Sequence, residues 1–186
     1  MKTRYSAGHI AVAFYAFISL VFASAVFFFS STLWAASMAN LLGPVSVGIF
    51  LSFTSSGLFV SFLSTYVIEH TKRFGHLPGS FHRALREMRD VHPFSLAFSS
   101  SIAEELVFRG VGLYFLGIWG QGILFGLAHW PRKKNMYIWP VWAFFMGVML
   151  GYITYFTKTL WSAIAIHFTI NFYSMMQLRR YKKHKK

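Results

Sequence analysis

The sequence predicts an all-α polytopic membrane protein, and three observations support this fold class. Hydrophobic residues make up 55% of the 186 residues and charged residues only 12%, which is about half the charged share of a soluble domain. The apolar residues fall in long blocks, and at roughly 20 residues per span the chain has room for about six transmembrane helices. The remaining charge is strongly basic, with 18 Lys and Arg against five acids. This composition excludes a disordered chain and disfavours a water-soluble domain.

Six apolar segments, separated by polar breaks, are the predicted spans. The fourth is short, so we expect a broken crossing or a locally thinned bilayer there. The first can be extended to Trp34. The six segments cover about residues 8–29, 41–68, 93–119, 120–130, 137–156 and 159–176.

The basic residues outside these segments predict the orientation of the chain. With six spans, every segment rich in Lys and Arg falls on one side of the membrane, so both termini are expected in the cytoplasm. Residues 80–91 have apolar side chains at helical spacing with arginines between them, which predicts an amphipathic helix or a solvated basic loop. The basic segments favour contact with anionic lipids. Because all of them lie next to spans, we expect no nucleic-acid partner.

Charged residues in the third segment are the first sign of a functional site. Glu104, Glu105 and Arg109 lie within six positions of an apolar stretch, where a charge costs several kcal/mol and usually has a function. Glu105 and Arg109 are four residues apart, in the orientation that favours an ion pair on one helix face. Glu104 points elsewhere and suits a general base or acid. The structural alternative is a polar clamp between helices.

Two later segments add imidazole and amide groups. His129 ends the fourth segment, four residues after Phe125, and His167 and Asn171 are four residues apart in the sixth. His167 and Asn171 can both donate hydrogen bonds to one point, although hydrogen bonding between helices would explain them equally well. Together with the acids, these groups predict a single cavity between spans three, four and six that opens toward the cytoplasm.

Other membrane hydrolases are excluded by their motifs. The chain has one aspartate, whereas an intramembrane aspartic protease needs two, and it has no cysteine. It contains neither a His-Glu-x-x-His zinc signature nor a Gly-x-Ser-Gly serine motif. A site built from glutamate and histidine remains.

These residues resemble the CPBP family of CAAX proteases and bacteriocin-processing endopeptidases, also called Abi. The family pattern runs Glu-Glu-x-x-x-Arg, Phe-x-x-x-His and His-x-x-x-Asn on successive helices. All three motifs occur here in order, without substitution. They match Glu104, Glu105 and Arg109, then Phe125 and His129, then His167 and Asn171.

The resemblance implies a glutamic protease with a CAAX-protease-like core and no cofactor. Glu104 would act as general base with help from His129, and His167 and Asn171 would stabilise the oxyanion. Glu105, Arg109 and Phe125 would support this set. The two histidines and a glutamate would also suit a zinc ion, which we keep as an alternative.

The resemblance also implies how the chain is organised and what it acts on. Residues 1–92 would form two spans and a basic cytoplasmic segment, residues 93–176 the catalytic core, and residues 177–186 a basic cytoplasmic tail. The substrate would be a membrane-anchored protein or peptide, cut in C-terminal processing or sorting. The protein would reside in a prokaryotic plasma membrane. The alternatives are a non-catalytic scaffold or immunity protein of the same fold, and a small ion-coupled transporter.

Overall fold

A computed structural model describes residues 6–29, 31–71, 88, 90–131 and 136–180, leaving aside the side chain at 178. These residues form helices and contain no strand, which confirms the predicted all-α class. Most of the predicted amphipathic helix at 80–91 and most of the basic tail lie outside the described residues. The helices are α1 (Ala7–Phe28), α2 (Leu33–Leu41), α3 (Val47–His70), α4 (Pro93–Glu105), a π-helix (Leu106–Gly112), α5 (Leu113–Ala128), α6 (Ile138–Thr157) and α7 (Leu160–Arg180).

Four helical stretches of the described chain are long and apolar enough to cross a membrane. They are α1, α3, α6 and the continuous helix Pro93–Ala128, which has 36 residues. The fold is therefore a membrane helix bundle, whereas the count of six spans stays a prediction. The first two predicted segments have different limits in the structure, because Leu33–Leu41 forms a separate short helix between α1 and α3.

The 36-residue helix is broken at Gly117, where φ is +67° and ψ is −176°. This backbone conformation is accessible almost only to glycine. The break separates the arm that carries Glu104 and Glu105 from the arm that ends at Ala128. The predicted division between the third and fourth segments, at 119 and 120, thus lies within three residues of the observed break.

Local sequence signals set the helix starts. Ser6, Thr32 and Ser46 are N-caps of the first three helices, and each side chain accepts a hydrogen bond from the backbone N–H three residues later. Pro93 occupies the first position of α4, where its missing N–H has no helical partner to lose. The capping residue there is His92, whose ring accepts from the N–H of Phe94.

Helices α5 and α6 pack with their backbones close together. A Cβ added at Gly122 would lie 2.6 Å from Cγ2 of Val148, and one added at Gly147 would lie 3.0 Å from the Cα of Gly122. Each helix carries the spacing Gly-x-x-x-Gly here (Gly122 and Gly126, Gly147 and Gly151), which lets membrane helices approach closely. The approach brings the main chain of α6 to the polar residues described below.

The first helices attach to the core at separate places. Helix α1 packs against α4, and α3 packs against α7. Phe22 and Met38 are buried in a cluster with Leu106, Leu160 and Ile164. The end of α2 is held by α7, because Thr159 and the Trp161 indole donate hydrogen bonds to the carbonyls of Leu41 and Leu42.

Candidate active site

The two glutamates occupy the junction between α4 and the π-helix. Helix α4 ends at Glu105, and the wider π-helical turn begins at Leu106. Such turns are rare and are often found at functional sites. The change of helical period means that the side chains after Glu105 do not follow the regular α-helical angles assumed from the sequence.

A fully buried polar network begins at Glu105. Arg109 Nη1 donates to Glu105 Oε1 at 3.0 Å, and both side chains are 0% exposed. The predicted ion pair is therefore present. Arg109 Nη2 and Gln121 Nε2 both donate to the carbonyl oxygen of Gly147, at 3.4 and 2.8 Å. The network ties α6 to the helix that carries the glutamates.

Phe125 supports the same network through its ring. The Arg109 guanidinium lies 4.4 Å from the ring centroid, a cation–π contact. The ring also packs against the imidazoles of His129 and His167, with centroids 4.5 and 5.8 Å away. Phe125 thus fills the space between the arginine and both histidines.

His167 has a partner that was not expected from the sequence. Its Nδ1 lies 2.6 Å from Glu105 Oε1. An ionised carboxylate can only accept, so the ring donates through Nδ1. Glu105 therefore binds Arg109 and His167 with the same oxygen, and it orients the imidazole as well as the arginine.

Glu104 lies between the two histidines. Its Oε2 is 3.8 Å from His129 Nε2 and 3.8 Å from His167 Nε2. These distances exceed a direct hydrogen bond, and one water molecule can bridge polar groups at such a separation. The Glu104 side chain is 16% exposed, in contrast to the fully buried Glu105. The adjacent carboxylates therefore have different surroundings.

The orientation of His129 is set by its own helix. Its Nδ1 lies 2.7 Å from the carbonyl oxygen of Phe125, one turn earlier. Since a carbonyl only accepts, Nδ1 carries the proton. In the neutral ring, Nε2 then has a free lone pair and faces Glu104. This is the arrangement expected of a group that accepts a proton.

Asn171 is linked to the other predicted residues through Ser100. Its Nδ2 donates to Ser100 Oγ on α4 at 3.2 Å. It lies one helical turn after His167. The structure therefore brings Glu104, Glu105, Arg109, Phe125, His129 and His167 together, and it connects Asn171 to them through α4 and α7.

Three residues of this site were not identified from the sequence. Tyr15 of α1 lies near Glu104, and Gln121 and Ser100 anchor the network and Asn171. Each had a signal in the sequence, because a phenol, an amide and a hydroxyl lie within apolar segments.

Among the described residues, no group of three or more His, Cys, Asp or Glu side chains is arranged to hold a metal ion.

One comparison with known families covers the region that contains these residues. Residues 91–173 match the family described as type II CAAX prenyl endopeptidase Rce1-like. The match contains all three motifs. The match supports a relation of this region to the CAAX-type proteases of the CPBP family. Comparisons with curated proteins and with solved structures give no significant match.

The match covers less than half of the chain. Together with the apolar helices, it indicates an integral membrane protein that contains a region similar to CAAX-type peptidases. Helices α1, α2 and α3 lie outside the matched region. The CPBP match thus covers the glutamates, both histidines and Asn171, but not Tyr15.

Proposed function

We propose that this CPBP protein is an intramembrane glutamic endopeptidase that hydrolyses a peptide bond in a membrane-anchored protein or peptide. One observation carries the proposal: Glu104 Oε2 faces the Nε2 atoms of His129 and His167 at 3.8 Å each. A carboxylate between two imidazoles can activate a water molecule and stabilise the resulting intermediate. The proposal needs no covalent intermediate and no cofactor.

In the first step, Glu104 accepts a proton from water while the water oxygen forms a bond to the carbonyl carbon. His129 assists, because its Nε2 is the basic nitrogen of the neutral ring and faces the same carboxylate. The C–N bond then breaks, and the leaving nitrogen takes the proton from His129 or Glu104. Positioned general bases of this kind contribute about 10²- to 10⁴-fold to the rate.

His167 is suited to stabilise the oxyanion of the tetrahedral intermediate. Its Nδ1 is bound to Glu105, which provides counter-charge when the ring carries two protons, and Nε2 then donates. Asn171 Nδ2 would supply a second donor, since its contact with Ser100 uses only one of its two hydrogens. Glu105, Arg109 and Phe125 hold the imidazole in place.

The proposal also covers the kind of substrate and the orientation of the chain in the membrane. We infer C-terminal processing or sorting of an anchored protein, since the polar groups of the site lie among apolar helices. The Lys and Arg pattern supports cytoplasmic termini, a cytoplasmic opening of the site and contact with anionic lipids. In this assignment the protein resides in a prokaryotic plasma membrane. In this assignment residues 93–176 are the catalytic unit, followed by a basic tail.

The test compares protein termini in membranes of cells that carry the wild-type chain or Glu104→Gln at matched expression. The amide cannot accept a proton, so we expect new termini on one or a few membrane proteins only with the wild type. Cleavage by the variant should fall at least about 100-fold. Glu69→Gln is the matched control, because Glu69 is exposed at the end of α3.

The result also distinguishes the alternatives. If Glu69→Gln keeps the new termini and Glu104→Gln loses them, the peptidase assignment stands and the termini identify the bond. If both variants give the wild-type profile and the wild-type cellular phenotype, a non-catalytic scaffold replaces the peptidase.

A further inference from the structure

Ser100 is the residue of α4 that contacts the amide of Asn171. Asn171 Nδ2 donates to Ser100 Oγ at 3.2 Å, and Ser100 is only 4% exposed. Ser100 lies outside the three sequence motifs, so the motifs assign it no role. Its partner Asn171 is the residue proposed above to give the oxyanion a second hydrogen bond. The contact therefore joins an unassigned buried hydroxyl to a candidate oxyanion donor.

The hydroxyl of Ser100 has one hydrogen, and this hydrogen is used within its own helix. Ser100 Oγ donates to the carbonyl oxygen of Ala97 at 3.2 Å, a bond that serine side chains commonly form in helices. The lone pairs of Oγ are then left for a donor from α7. An asparagine amide that faces this oxygen must therefore present Nδ2 and not Oδ1. Ser100 thus determines which end of the Asn171 amide lies against α4.

The pairing of α4 with α7 places this contact next to the candidate base. Ser100 and Glu104 are four residues apart on α4, and His167 and Asn171 are four residues apart on α7. Asn171 contacts Ser100, and His167 Nε2 lies 3.8 Å from Glu104 Oε2. The two helices therefore run antiparallel here. The amide lies about one helical turn, or roughly 5.4 Å along the axis, from the level of Glu104.

Aromatic contacts hold the same register between α4 and α7. Phe94 packs edge-on against Phe168 and Phe172, with ring centroids 5.4 and 6.3 Å apart. Phe98 makes a similar contact with Phe168, at 6.3 Å. Edge-to-face pairs at these distances are favourable, so sliding of one helix along the other would lose them. Packing as well as the hydrogen bond thus fixes the level at which the amide meets the serine.

We propose that Ser100 is a positioning residue, which holds the Asn171 amide with Nδ2 toward α4 so that the second amide hydrogen can bind the oxyanion. The inference rests on the proposed peptidase function. An amide turned by 180° would present Oδ1, which only accepts hydrogen bonds and would repel an oxyanion. Ser100 acts through Asn171 and not on the substrate.

Ser100→Ala removes the acceptor and keeps the helix. The turnover number should fall about three- to ten-fold, the effect of one hydrogen bond between membrane helices, with KM unchanged. Ser101→Ala is the matched control. The Ser101 hydroxyl is also buried and also donates to the carbonyl of Ala97, at 2.7 Å. The two variants therefore remove the same group from adjacent positions, and only the first removes the acceptor of Asn171.

A double-mutant cycle tests whether Ser100 acts through Asn171. Asn171→Ala alone should lower turnover about 100-fold or more, the usual effect of losing one oxyanion donor. With the amide gone, Ser100 has nothing left to position. Turnover of the double variant should therefore equal that of Asn171→Ala within about two-fold, because the two residues act as one unit.

The contact itself is measured without substrate, by NMR of purified protein labelled with ¹⁵N in the asparagine side chains. The chain has three asparagines, Asn40, Asn135 and Asn171, so the signal that is missing in Asn171→Ala belongs to Asn171. We expect Ser100→Ala to shift this signal and to speed its exchange with water. Ser101→Ala should leave the signal unchanged.

The outcomes separate the positioning role from the peptidase function. A shifted signal with reduced turnover, constant KM and no further loss in the Asn171→Ala background supports the positioning role. An unshifted signal, unchanged turnover, or an equal loss in both backgrounds overturns it, and unchanged turnover with a shifted signal makes the contact a purely structural one. If the wild type cleaves no substrate while the signal shifts, the contact stands and the peptidase proposal falls, together with the role of Ser100 in it.

Discussion

Helices α3 and α6 are similarly apolar, but they have different positions in the bundle. The mean hydropathy of an 18-residue apolar stretch is 1.7 in α3 and 1.4 in α6. The rest of the protein buries 11% of this stretch in α3 and 44% in α6. Helix α3 packs mainly on α7, whereas α6 lies against α5 and supplies a carbonyl to the polar network.

The different burial of α3 and α6 shows that the apolarity of a helix does not determine how much of it packs against other helices in this protein. In a bilayer the lipid tails are as apolar as leucine, so hydrophobicity does not drive helices together. The core helices associate through close glycine contacts and buried polar groups. The exposed helices carry large apolar side chains such as Phe59 and Phe62, which are 66% and 65% exposed to the surroundings of the protein.

The sharpest test of this comparison is Arg109→Ala. The substitution leaves Glu105 buried without its cation and also removes a contact to Gly147. We expect a loss of about 3–5 kcal/mol in the free energy of unfolding, the usual result of breaking a buried ion pair from one side. Unfolding of the purified protein in mixed micelles by increasing SDS measures it.

Two further variants show whether the effect of Arg109→Ala comes from the buried ion pair. Arg180→Ala removes an exposed arginine from the end of α7 and should change the free energy by less than about 0.5 kcal/mol. The double variant Glu105→Gln with Arg109→Met removes both charges and should recover part of the loss. Equal stability of Arg109→Ala and the wild type would show that the network does not hold the core together.

A smaller effect is expected from the same substitution at two glycines. Gly147→Ala places a methyl group 3.0 Å from the Cα of Gly122 and should destabilise the protein by about 1–3 kcal/mol. Gly48→Ala meets nothing within 4 Å and should stabilise α3 by about 0.5–1 kcal/mol. SDS unfolding of both variants measures the difference, and a destabilising Gly48→Ala would show that α3 packs more tightly than the comparison states.

The smallest expected effect concerns the contact of Asp90, just before α4, with the start of α1. A hydrogen bond from Ser6, with a contribution from His9 at 3.4 Å, lowers the pKa of Asp90 below its usual value of 3.8. A depressed folded pKa means that the charged form stabilises the fold above about pH 4, and that this stability is lost as the pH falls further. The effect is small because Asp90 is exposed and its charge is screened by solvent.

Asp90→Asn tests this linkage. The variant should be slightly less stable than the wild type at pH 7, and the difference should disappear once the pH lies below the lowered pKa of Asp90. Thermal unfolding at several pH values and low salt measures it. A difference that is constant with pH would mean that the carboxyl group does not link α1 to the core through its charge.

Local sequence patterns account for much of what the structure shows. The apolar blocks predicted the all-α membrane fold, and the spacing of Glu105 and Arg109 predicted their ion pair. The three motifs identified the region that the family comparison then matched. These features depend on neighbours in the chain or on composition, so one sequence was enough to predict them. The roles of the site residues, the domain limits and the orientation stay predictions.

The remaining features depend on contacts between helices that are distant in sequence. Nothing in the sequence distinguishes Gly117 from the other glycines. Its φ angle of +67° shows that the long helix breaks at this residue. The contact of Glu105 with His167, 62 residues later, requires a particular register between packed helices. The sequence by itself determined which groups are costly to place in a membrane, because that cost belongs to each residue. Only the tertiary structure decided which partners satisfy them, because close packing sets distance and orientation together.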